Sequence, residues 1–340
     1  MPVDCPLVSV LLPFHNAAAT IAECIESIFE QSLSQIEVVA VDDFSDDDSA
    51  SILGSCNDQR IRLVDSRQRG LVSALNTGLA CCSAPLVARM DADDIMHPER
   101  LLKQYEYMRR HNDVVLVATQ ARKFPEASIR NGYREYMRWQ NSVLSAEDVN
   151  NQIYIESPFA HPSVMFRRDS VIAAGAYRDG AFPEDYELWL RLLHAGHRME
   201  KLPEVLLDWR ESDSRLSRVS HHYSRPAFDR VRADYLSQDA RIHNRQIAFW
   251  GAGRKTRQRA RLLIEKGFEP AVWIDIDPGK IGNRIHGVEV VEPDWLKHRS
   301  AGESRPFVLN YVTNHGARDI TRNYLERIGY LMGQDYLEVG

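Results

Sequence analysis

Short apolar runs alternate with segments of helical spacing through the first 110 residues, and this alternation restricts the fold more than any other feature. Four runs have the length and composition of buried strands: LVSVLLPF (7–14), IEVVAVDD (36–43), IRLVD (61–65) and PLVARMD (85–91). Residues 19–31, 71–80 and 98–110 are predicted to be helices. Apolar strands separated by helices indicate an α/β fold, with a mostly parallel sheet covered by helices on both faces.

The alternation of strands and helices continues to about residue 210 and begins again near residue 245. HPSVMFRR (161–168) and VLLDWR (205–210) predict two further strands, and PEDYELWLRLLHAG (183–196) predicts a helix. Residues 212–244 are rich in Ser, Arg and His, and after them RQIAFWGAGRKT predicts a strand, a glycine turn and the start of a helix. We therefore expect a first domain over 1–218, a polar and partly helical connector over 219–244, and a smaller Rossmann-like α/β domain over 245–340.

Composition excludes several classes of protein. A chain of 340 residues is long enough for two domains, and its net charge of −6 argues against a nucleic-acid-binding surface. No apolar run reaches the length of a membrane span, and the N-terminus has no secretory signal pattern. The five cysteines lack C-x-x-C spacing, which favours a reduced, cytoplasmic compartment.

Carboxylates follow two of the predicted strands. Asp42 and Asp43 end the second run, and Asp91, Asp93 and Asp94 follow the fourth. Ligands of open α/β sheets bind at the carboxyl ends of the strands. The D-x-D spacing alone fits either a solvated turn or a Mg²⁺ or Mn²⁺ site that leaves positions for substrate phosphates. Two clusters at one sheet edge favour the metal site, and Asp94 is then expected to cap the turn or the helix beginning near Pro98.

A second acidic feature opens the helix predicted over 183–196. Glu184 and Asp185 suit a helix N-terminus, where the helix dipole stabilises negative charge. The aromatic neighbours Phe182, Tyr186 and Trp189 could also shield a carboxylate from water and raise its pKa toward that of a useful base. Both interpretations are open on these residues alone.

Six segments in this order resemble the family 2 glycosyltransferases, which have the GT-A fold. They are VSVLLPFHNAAATIAECIESIFEQS, IEVVAVDDFSDDDS, GLVSALNTGL, ARMDADDIMHPERL, HPSVMFRR and PEDYELWLRLLHAG. The resemblance covers roughly residues 5–218. It implies an inverting, metal-dependent enzyme that moves a sugar from a nucleotide-diphosphate donor, commonly a UDP-sugar, to a hydroxyl in cell-surface polysaccharide or glycolipid synthesis. It also implies a saccharide or lipid-linked acceptor and allows peripheral association with the inner membrane face. Homo-oligomerisation is left open.

The resemblance also implies roles for individual residues. The nucleotide base and ribose would be held by residues at the ends of the first two strands: Pro13, Phe14, His15, Asp42 and Asp43. Asp93 would be the ligand of Mn²⁺ or Mg²⁺, with Asp91 facing the ribose or the metal. Asp185 would be the general base and Glu184 its companion. Further donor contacts would come from Arg60 or Arg69 and from Arg210, Arg215 and Ser217. His161 would lie beneath the acceptor region or serve as a packing residue.

Two residues depart from the family pattern. His15 stands where relatives often have tyrosine, which leaves the base preference open. Phe44 stands where the Asp-Asp-Gly-Ser turn of the family has glycine, so we expect either a different turn or an aromatic ring that closes over the donor.

The second predicted domain carries part of a dinucleotide-binding pattern. Gly251 and Gly253 match its first two glycines, Thr256 replaces the third, and Asp275 follows the next strand where a ribose-binding acid would belong. A structural, docking or regulatory role is preferred, with bound NAD or another nucleotide as the alternative. A sugar-nucleotide oxidoreductase or epimerase is the competing function, although no Tyr-x-x-x-Lys pair occurs. A non-catalytic nucleotide-binding scaffold is disfavoured by the combined presence of Asp43, Asp91, Asp93 and Asp185.

Overall fold

The computed structural model describes residues 5–129, 131–212, 220–297, 305–313 and 315–340. The chain divides into two compact units. The first contains the residues up to Val149 together with Ser157–His222, and the second contains Asn150–Glu156 together with Tyr223–Gly340.

An eight-stranded sheet forms the centre of the first unit. Its strands are β1 (Val8–Phe14), β2 (Ile36–Asp42), β3 (Ile61–Asp65), β4 (Leu86–Arg89), β5 (Ile95–Met96), β6 (Val114–Phe124), β7 (Met165–Arg167) and β8 (Arg198–Arg210). Their order is β3-β2-β1-β4-β7-β6-β8-β5. Strands β5 and β7 run antiparallel to their neighbours and the other strands share one direction, so the predicted mostly parallel sheet is confirmed.

Helices connect these strands. They are α1 (Ile21–Phe29), α2 (Ser49–Ser55), α3 (Leu71–Cys81), α4 (Arg100–Arg110), α5 (Asn131–Ser142), α6 (Ala146–Gln152), α7 (Arg168–Ala173) and α8 (Glu184–His194). All seven residues of β1 are buried, as a strand covered on both faces requires. Helix α1 buries Ile21, Cys24, Ile25 and Ile28 on one face against this sheet.

Three parts of the chain before β8 differ from the sequence prediction. Strand β6 was not predicted, although it pairs with β7 and runs beside β8. The segment predicted as a strand over 161–168 begins as a 3-10 helix, His161–Ser163, and becomes a strand only at Met165. Pro162 lacks the N–H that a strand would donate, which explains the late start. Helices α5 and α6 were not predicted, because the apolar periodicity of their residues is weak.

The second unit contains a six-stranded sheet. Its strands are β9 (Ile247–Trp250), β10 (Val272–Ile274), β11 (Arg284–Ile285), β12 (Val288–Val291), β13 (Phe307–Asn310) and β14 (Tyr336–Glu338), in the order β11-β12-β10-β9-β13-β14. All pairs are parallel except β11 with β12. The helices are α9 (Arg225–Leu236), α10 (Arg254–Ile264) and α11 (His315–Arg327). The core of this unit includes Trp250, Tyr330 and Tyr336.

Two further observations concern the chain as far as it is described. All five cysteines are free thiols. Among the described helices, none combines the length and the apolar character that crossing a membrane requires.

Candidate active site

Strands β1, β2 and β4 end at the same edge of the first sheet. Phe14 is opposite Asp42 in the parallel pairing of β1 with β2, and Leu11 is opposite Arg89 in the pairing with β4. The residues that follow these strands, His15, Asp43 and Asp91, therefore emerge side by side. This edge is where an open α/β sheet binds its ligands.

The turns after β1 and β2 are tied to each other. His15 Nδ1 lies 2.8 Å from the carbonyl oxygen of Asp43, and because a carbonyl can only accept, Nδ1 carries the proton. Asn16 donates from Nδ2 to Asp46 Oδ1 at 2.7 Å and accepts from the Asp46 N–H at 2.9 Å. These bonds fix the position of His15 at the sheet edge.

The predicted donor acids Asp42 and Asp43 also shape the loops around them. Asp42 Oδ1 accepts the N–H of Ser45 at 2.9 Å. Asp43 is buried, and its Oδ1 accepts the N–H of Gly70 at 2.7 Å. Gly70 precedes α3 with a φ of 123°, a conformation that favours glycine. Asp43 therefore holds the start of α3 against the sheet edge, and the exposed Arg69 lies next to this contact.

Phe44 adopts the left-handed conformation, with a φ of 58°, and its side chain is 52% exposed. A non-glycine residue in this region costs roughly 1–2 kcal/mol. Phe44 therefore occupies a backbone conformation that glycine adopts without strain, at a position where the family pattern has glycine. Both expected outcomes, a different turn and a ring that closes over the donor, stay predictions. The aromatic ring faces solvent beside the sheet edge.

The aspartates after β4 form a compact cluster. Oxygen atoms of Asp91, Asp93 and Asp94 lie within 4.8 Å of one another. Asp91 and Asp93 are partly exposed, whereas Asp94 is buried. Two partly exposed carboxylates at this distance fit a hard divalent cation that keeps other positions for water and phosphate oxygens. The residues present therefore fit Mg²⁺ or Mn²⁺.

Asp94 has a structural role that differs from the expected one. Its Oδ1 accepts the backbone N–H of Arg210, the last residue of β8, at 2.7 Å. The two segments are 116 residues apart in sequence, so local spacing could not reveal this bond. Of the two predicted capping roles of Asp94, the one at the helix near Pro98 was wrong, because Glu99 occupies the N-cap position of that helix and no side chain caps it. The role in the turn stays a prediction.

The guanidinium of Arg210 holds the aspartate turn in place. Its Nε donates to the carbonyl oxygen of Asp93 at 2.6 Å, Nη2 pairs with Glu23, and the group lies 4.4 Å from the centre of the Phe124 ring. The contact of Arg210 with a donor diphosphate stays a prediction. The related predictions for Arg215 and Ser217 lie outside the described residues. Arg60 pairs with Asp58 at 2.7 Å.

The acid pair Glu184–Asp185 opens α8, as predicted. Asp185 is partly buried, and its Oδ1 accepts the N–H of Tyr186 at 2.7 Å. Burial and the neighbouring charge of Glu184 raise the pKa of Asp185 to about 7, while the Tyr186 hydrogen bond and the charge of Arg89 oppose the rise. Asp185 thus has the pKa of a group that can accept a proton near neutral pH.

His161 connects Glu184 to a tyrosine that the sequence did not reveal. His161 Nδ1 is 3.7 Å from Glu184 Oε1, and Nε2 forms a 2.9 Å hydrogen bond with the hydroxyl of Tyr177. Burial, assisted by the charge of Arg89, lowers the pKa of His161 well below its usual range, so the ring is neutral. Asn76 on α3 exchanges two hydrogen bonds with the backbone of Tyr177. No spacing pattern marks Tyr177 or Asn76.

Arg89, the last residue of β4, was also missed as a site residue. Its side chain is 3% exposed, and Nη2 pairs with Asp91 Oδ1 at 2.5 Å. The available signal was an arginine within the apolar run PLVARM.

The glycine turn of the second unit is held by its own acid. Asp275 Oδ2 accepts the N–H of Ala252 at 2.8 Å, and Oδ1 accepts the N–H of Asp277 at 3.0 Å. Lys280 Nζ is 3.1 Å from the same carboxylate. Gly251, with a φ of 109°, and Gly253, which precedes α10, complete the turn. Because Asp275 is engaged by donors of its own unit, these contacts favour a structural role over ribose binding.

The strand order, the carboxylate edge and the acid pair together define a class of protein, the GT-A glycosyltransferases. A model of the family described as "Glycosyl transferase family 2" matches residues 9–175. The amylovoran biosynthesis glycosyltransferase AmsE of Erwinia amylovora is 36% identical over 204 residues, which make up 58% of this chain and 74% of AmsE. The chain belongs to glycosyltransferase family 2, as its sequence motifs predict, and it is a glycosyltransferase.

Two other proteins extend the comparison. An Escherichia coli protein named UDP-Gal:alpha-D-GlcNAc-diphosphoundecaprenol beta-1,3-galactosyltransferase is 28% identical over 257 residues, which cover 72% of this chain and 90% of that protein. The crystal structure of residues 1–349 of S. aureus TarS in complex with UDP-GlcNAc superposes with a TM-score of 0.55 at 15% identity, covering 76% of this chain and 70% of that one. At this identity the likeness to TarS concerns the fold alone.

Proposed function

We propose that the chain transfers a sugar from a UDP-sugar to a hydroxyl of a saccharide acceptor by a single displacement that inverts the anomeric carbon. The observation that carries this proposal is Asp185, a partly buried carboxylate whose pKa is raised to about 7. It belongs to the same unit as the carboxylate edge formed after β1, β2 and β4. A base of this pKa can remove a proton from a hydroxyl as that hydroxyl attacks.

The nucleotide would bind at the ends of β1 and β2. His15 presents its ring beside the backbone of Asp43. Asp42 and Asp43 are carboxylate acceptors suited to the N–H or hydroxyl groups of a nucleoside. Pro13 and Phe14 would support the base from the end of β1, and Arg69, which is exposed, would contact a phosphate.

Asp91 and Asp93 would hold the divalent cation, which when bound neutralises charge on the departing diphosphate. The rest of the turn is positioned by the protein. Arg210 holds the backbone of Asp93, and Arg89 holds the side chain of Asp91. The backbone of the turn and the carboxylate of Asp91 are thus held in place before any ligand arrives, which reduces the ordering that binding must bring about.

One base is sufficient to account for the proton and the bonds that change in the transfer. The acceptor oxygen forms a bond to the anomeric carbon as the bond from that carbon to the phosphate oxygen breaks, and the electron pair leaves with the nucleoside diphosphate. The proton of the acceptor hydroxyl moves to the carboxylate of Asp185. No covalent intermediate with the protein is required.

The names of similar proteins support the choice of substrates. The E. coli relative is named for UDP-galactose and a lipid-linked acceptor, and AmsE is named for the biosynthesis of a polysaccharide. We therefore propose a role in cell-surface polysaccharide or O-antigen synthesis, with an acceptor that is a growing or lipid-linked saccharide. Peripheral association with the inner face of the membrane is part of this proposal and rests on the lipid-linked acceptor of that relative.

A screen of donors tests the proposal. Release of nucleoside diphosphate would be measured with UDP-, GDP- and dTDP-sugars in the presence of Mn²⁺, for the wild type and for Asp185→Asn. We expect turnover with a UDP-sugar and its loss in the variant. Equal release in both proteins, or preference for another nucleotide, would contradict the proposal. For the second unit we propose a structural or docking role, and NAD(H) should then give no thermal stabilisation.

A further inference from the structure

A buried arginine of the first unit, Arg89, contacts one of the acids of the candidate cation site. Arg89 ends β4, at the edge where Asp91 follows, and its guanidinium pairs with Asp91 Oδ1 at 2.5 Å. The residue as a whole is 2% exposed. Its backbone N–H donates to the carbonyl oxygen of Val164 at 3.0 Å, three residues after His161, and His161 Nδ1 lies 3.7 Å from Glu184 Oε1. Arg89 is therefore packed against the segment that contacts the acid pair, and its charge accordingly acts on Asp185, His161 and Tyr177.

The contacts of Arg89 are incomplete for a buried cation. Nη2 has its ion pair, but Nε and Nη1 are buried and form no hydrogen bond within the described part of the chain. A buried donor without a partner is costly, and a buried charge is costlier. For comparison, the fully buried Arg100 binds Gln104 Oε1 at 3.0 Å and the carbonyl oxygen of Arg89 at 3.0 Å. An apolar residue would continue the run PLVA without this cost, so structural stability does not explain Arg89.

We propose that Arg89 is a positioning residue for the transfer reaction, whose buried cation is shared between Asp91 and the acid pair Glu184–Asp185. This inference rests on the proposed function of Asp91 and Asp185. Arg89 orients the side chain of Asp91 through the ion pair. On the other side, it favours the ionised form of Asp185, the form that can accept a proton.

Because Arg89 interacts with both Asp91 and the acid pair, donor binding at Asp91 is coupled to the ionisation of Asp185. While Asp91 pairs with Arg89, the two charges partly cancel at Asp185. When Asp91 engages a bound donor, more of the Arg89 charge would act on the acid pair. Asp185 then ionises more readily once the donor is in place, so the base becomes fully competent in the complex that needs it.

Asp185 is surrounded by several groups that a test must take into account. Glu184, from the same helix, disfavours its ionisation, and Arg89, from β4, favours it. The hydroxyl of Tyr177 and the neutral ring of His161 lie on the side of Glu184. Removing the cation alone should therefore shift the balance toward the protonated acid.

The experiment is a carboxyl titration that needs no substrate. The full-length protein, labelled with ¹³C-carboxyl aspartate, would be titrated by NMR, and the Asp185 signal would be assigned by its loss in Asp185→Asn. In Arg89→Met, which removes the charge and keeps the length, we expect the Asp185 midpoint to rise by about one pH unit or more. In Arg89→Lys, which keeps a cation, the midpoint should stay closer to that of the wild type.

Arg100→Met is the matched control, because it also removes a buried cation beside the same strand, and Arg100 is not among the main charges that act on Asp185. Its Asp185 midpoint should not move. If Arg89→Met does not fold, Arg89→Gln, which keeps a donor for Asp91, carries the same expectation. An unchanged midpoint in the folded Arg89 variant, or an equal rise in Arg100→Met, would overturn the proposal.

A second measurement separates this inference from the proposed function. The pH profile of transfer, with the donor identified in the screen, would be recorded for wild type and Arg89→Met. We expect its acidic limb to move upward together with the NMR midpoint. A moved midpoint with an unmoved limb would overturn Asp185 as the base and with it the positioning role, while the electrostatic link between Arg89 and Asp185 would stand as measured.

Discussion

Glu184 and His161 lie against each other at the start of α8, with Oε1 of the glutamate 3.7 Å from Nδ1 of the histidine. Because burial lowers the pKa of His161 well below its usual range, the ring is neutral near pH 7 and does not cancel the charge of Glu184. That charge therefore acts on its neighbour Asp185 and, after burial, is the next largest cause of the raised pKa there. The pKa of the candidate base Asp185 is therefore raised by the adjacent acid Glu184.

Glu184→Gln should move the acidic limb of the pH–rate profile to lower pH. The variant removes the repulsion that disfavours the Asp185 carboxylate, so this carboxylate ionises at lower pH. The measurement is kcat/KM against pH for the transfer reaction. Glu187→Gln is the control, since Glu187 is on the same helix but pairs with Arg191 at 2.9 Å. A limb that stays in place in Glu184→Gln, or moves equally in both variants, would show that Glu184 does not tune the base.

Alanine substitution should affect ligand binding at Asp93 and protein stability at Asp94. Asp93→Ala should abolish the Mn²⁺-dependent part of UDP binding in calorimetry with little change in stability, because Asp93 is a partly exposed carboxylate of the cluster. Asp94→Ala should lower the free energy of unfolding by about 1–3 kcal/mol, because the N–H of Arg210 loses the acceptor that the buried Asp94 provides. Mn²⁺-dependent binding that survives in Asp93→Ala would remove this residue from the metal site.

Phe44→Gly should stabilise the protein by about 1 kcal/mol, because glycine adopts the left-handed conformation at Phe44 without the cost paid by a side chain. Urea unfolding gives the free energy difference. Phe44→Ala is the control: it removes the exposed ring and keeps the strain, so its stability should stay near that of the wild type. A gain in Phe44→Ala equal to that in Phe44→Gly would mean that the ring, not the backbone, is the source of the strain.

The pH dependence of stability should reveal the raised pKa of Asp185. Its folded pKa of about 7 lies above the value of an unfolded aspartate, about 3.9, so its contribution to stability is present below pH 4 and is lost as the pH rises through 7. Asp185→Asn removes this loss. The variant should therefore gain on the order of 2 kcal/mol over the wild type at pH 8 and little at pH 4, since each pKa unit is worth about 1.4 kcal/mol and partial exposure screens some of it. Equal differences at both pH values would contradict the raised pKa.

Much of the fold could be predicted because local pattern and burial agree. The strands β1, β2, β3 and β4 are short apolar runs, and the acids that mark a ligand edge lie at the carboxyl ends of β2 and β4. The helix that begins with Glu184 has its cap signals in adjacent residues. In such segments, local sequence and tertiary environment favour the same structure.

The remaining features depend on contacts between distant parts of the chain. Asp94 binds β8, and Tyr177 is placed by Asn76 on α3, 101 residues away in sequence. Such pairs leave no periodic signal. The role of Arg89 was missed for a different reason. A single charged residue within an apolar run indicates only an interruption of the strand pattern, and its function becomes apparent from its ion pair with Asp91.

The central claim is that Asp185 is the base, and Asp185→Asn tests it most directly. Transfer would be measured together with calorimetric binding of UDP and Mn²⁺, so that loss of chemistry is distinguished from loss of the donor site. We expect unchanged donor binding and a fall in kcat of about 10²–10⁴-fold, the range that a positioned base contributes. Turnover within tenfold of the wild type, with the variant folded and binding UDP, would contradict the assignment of Asp185.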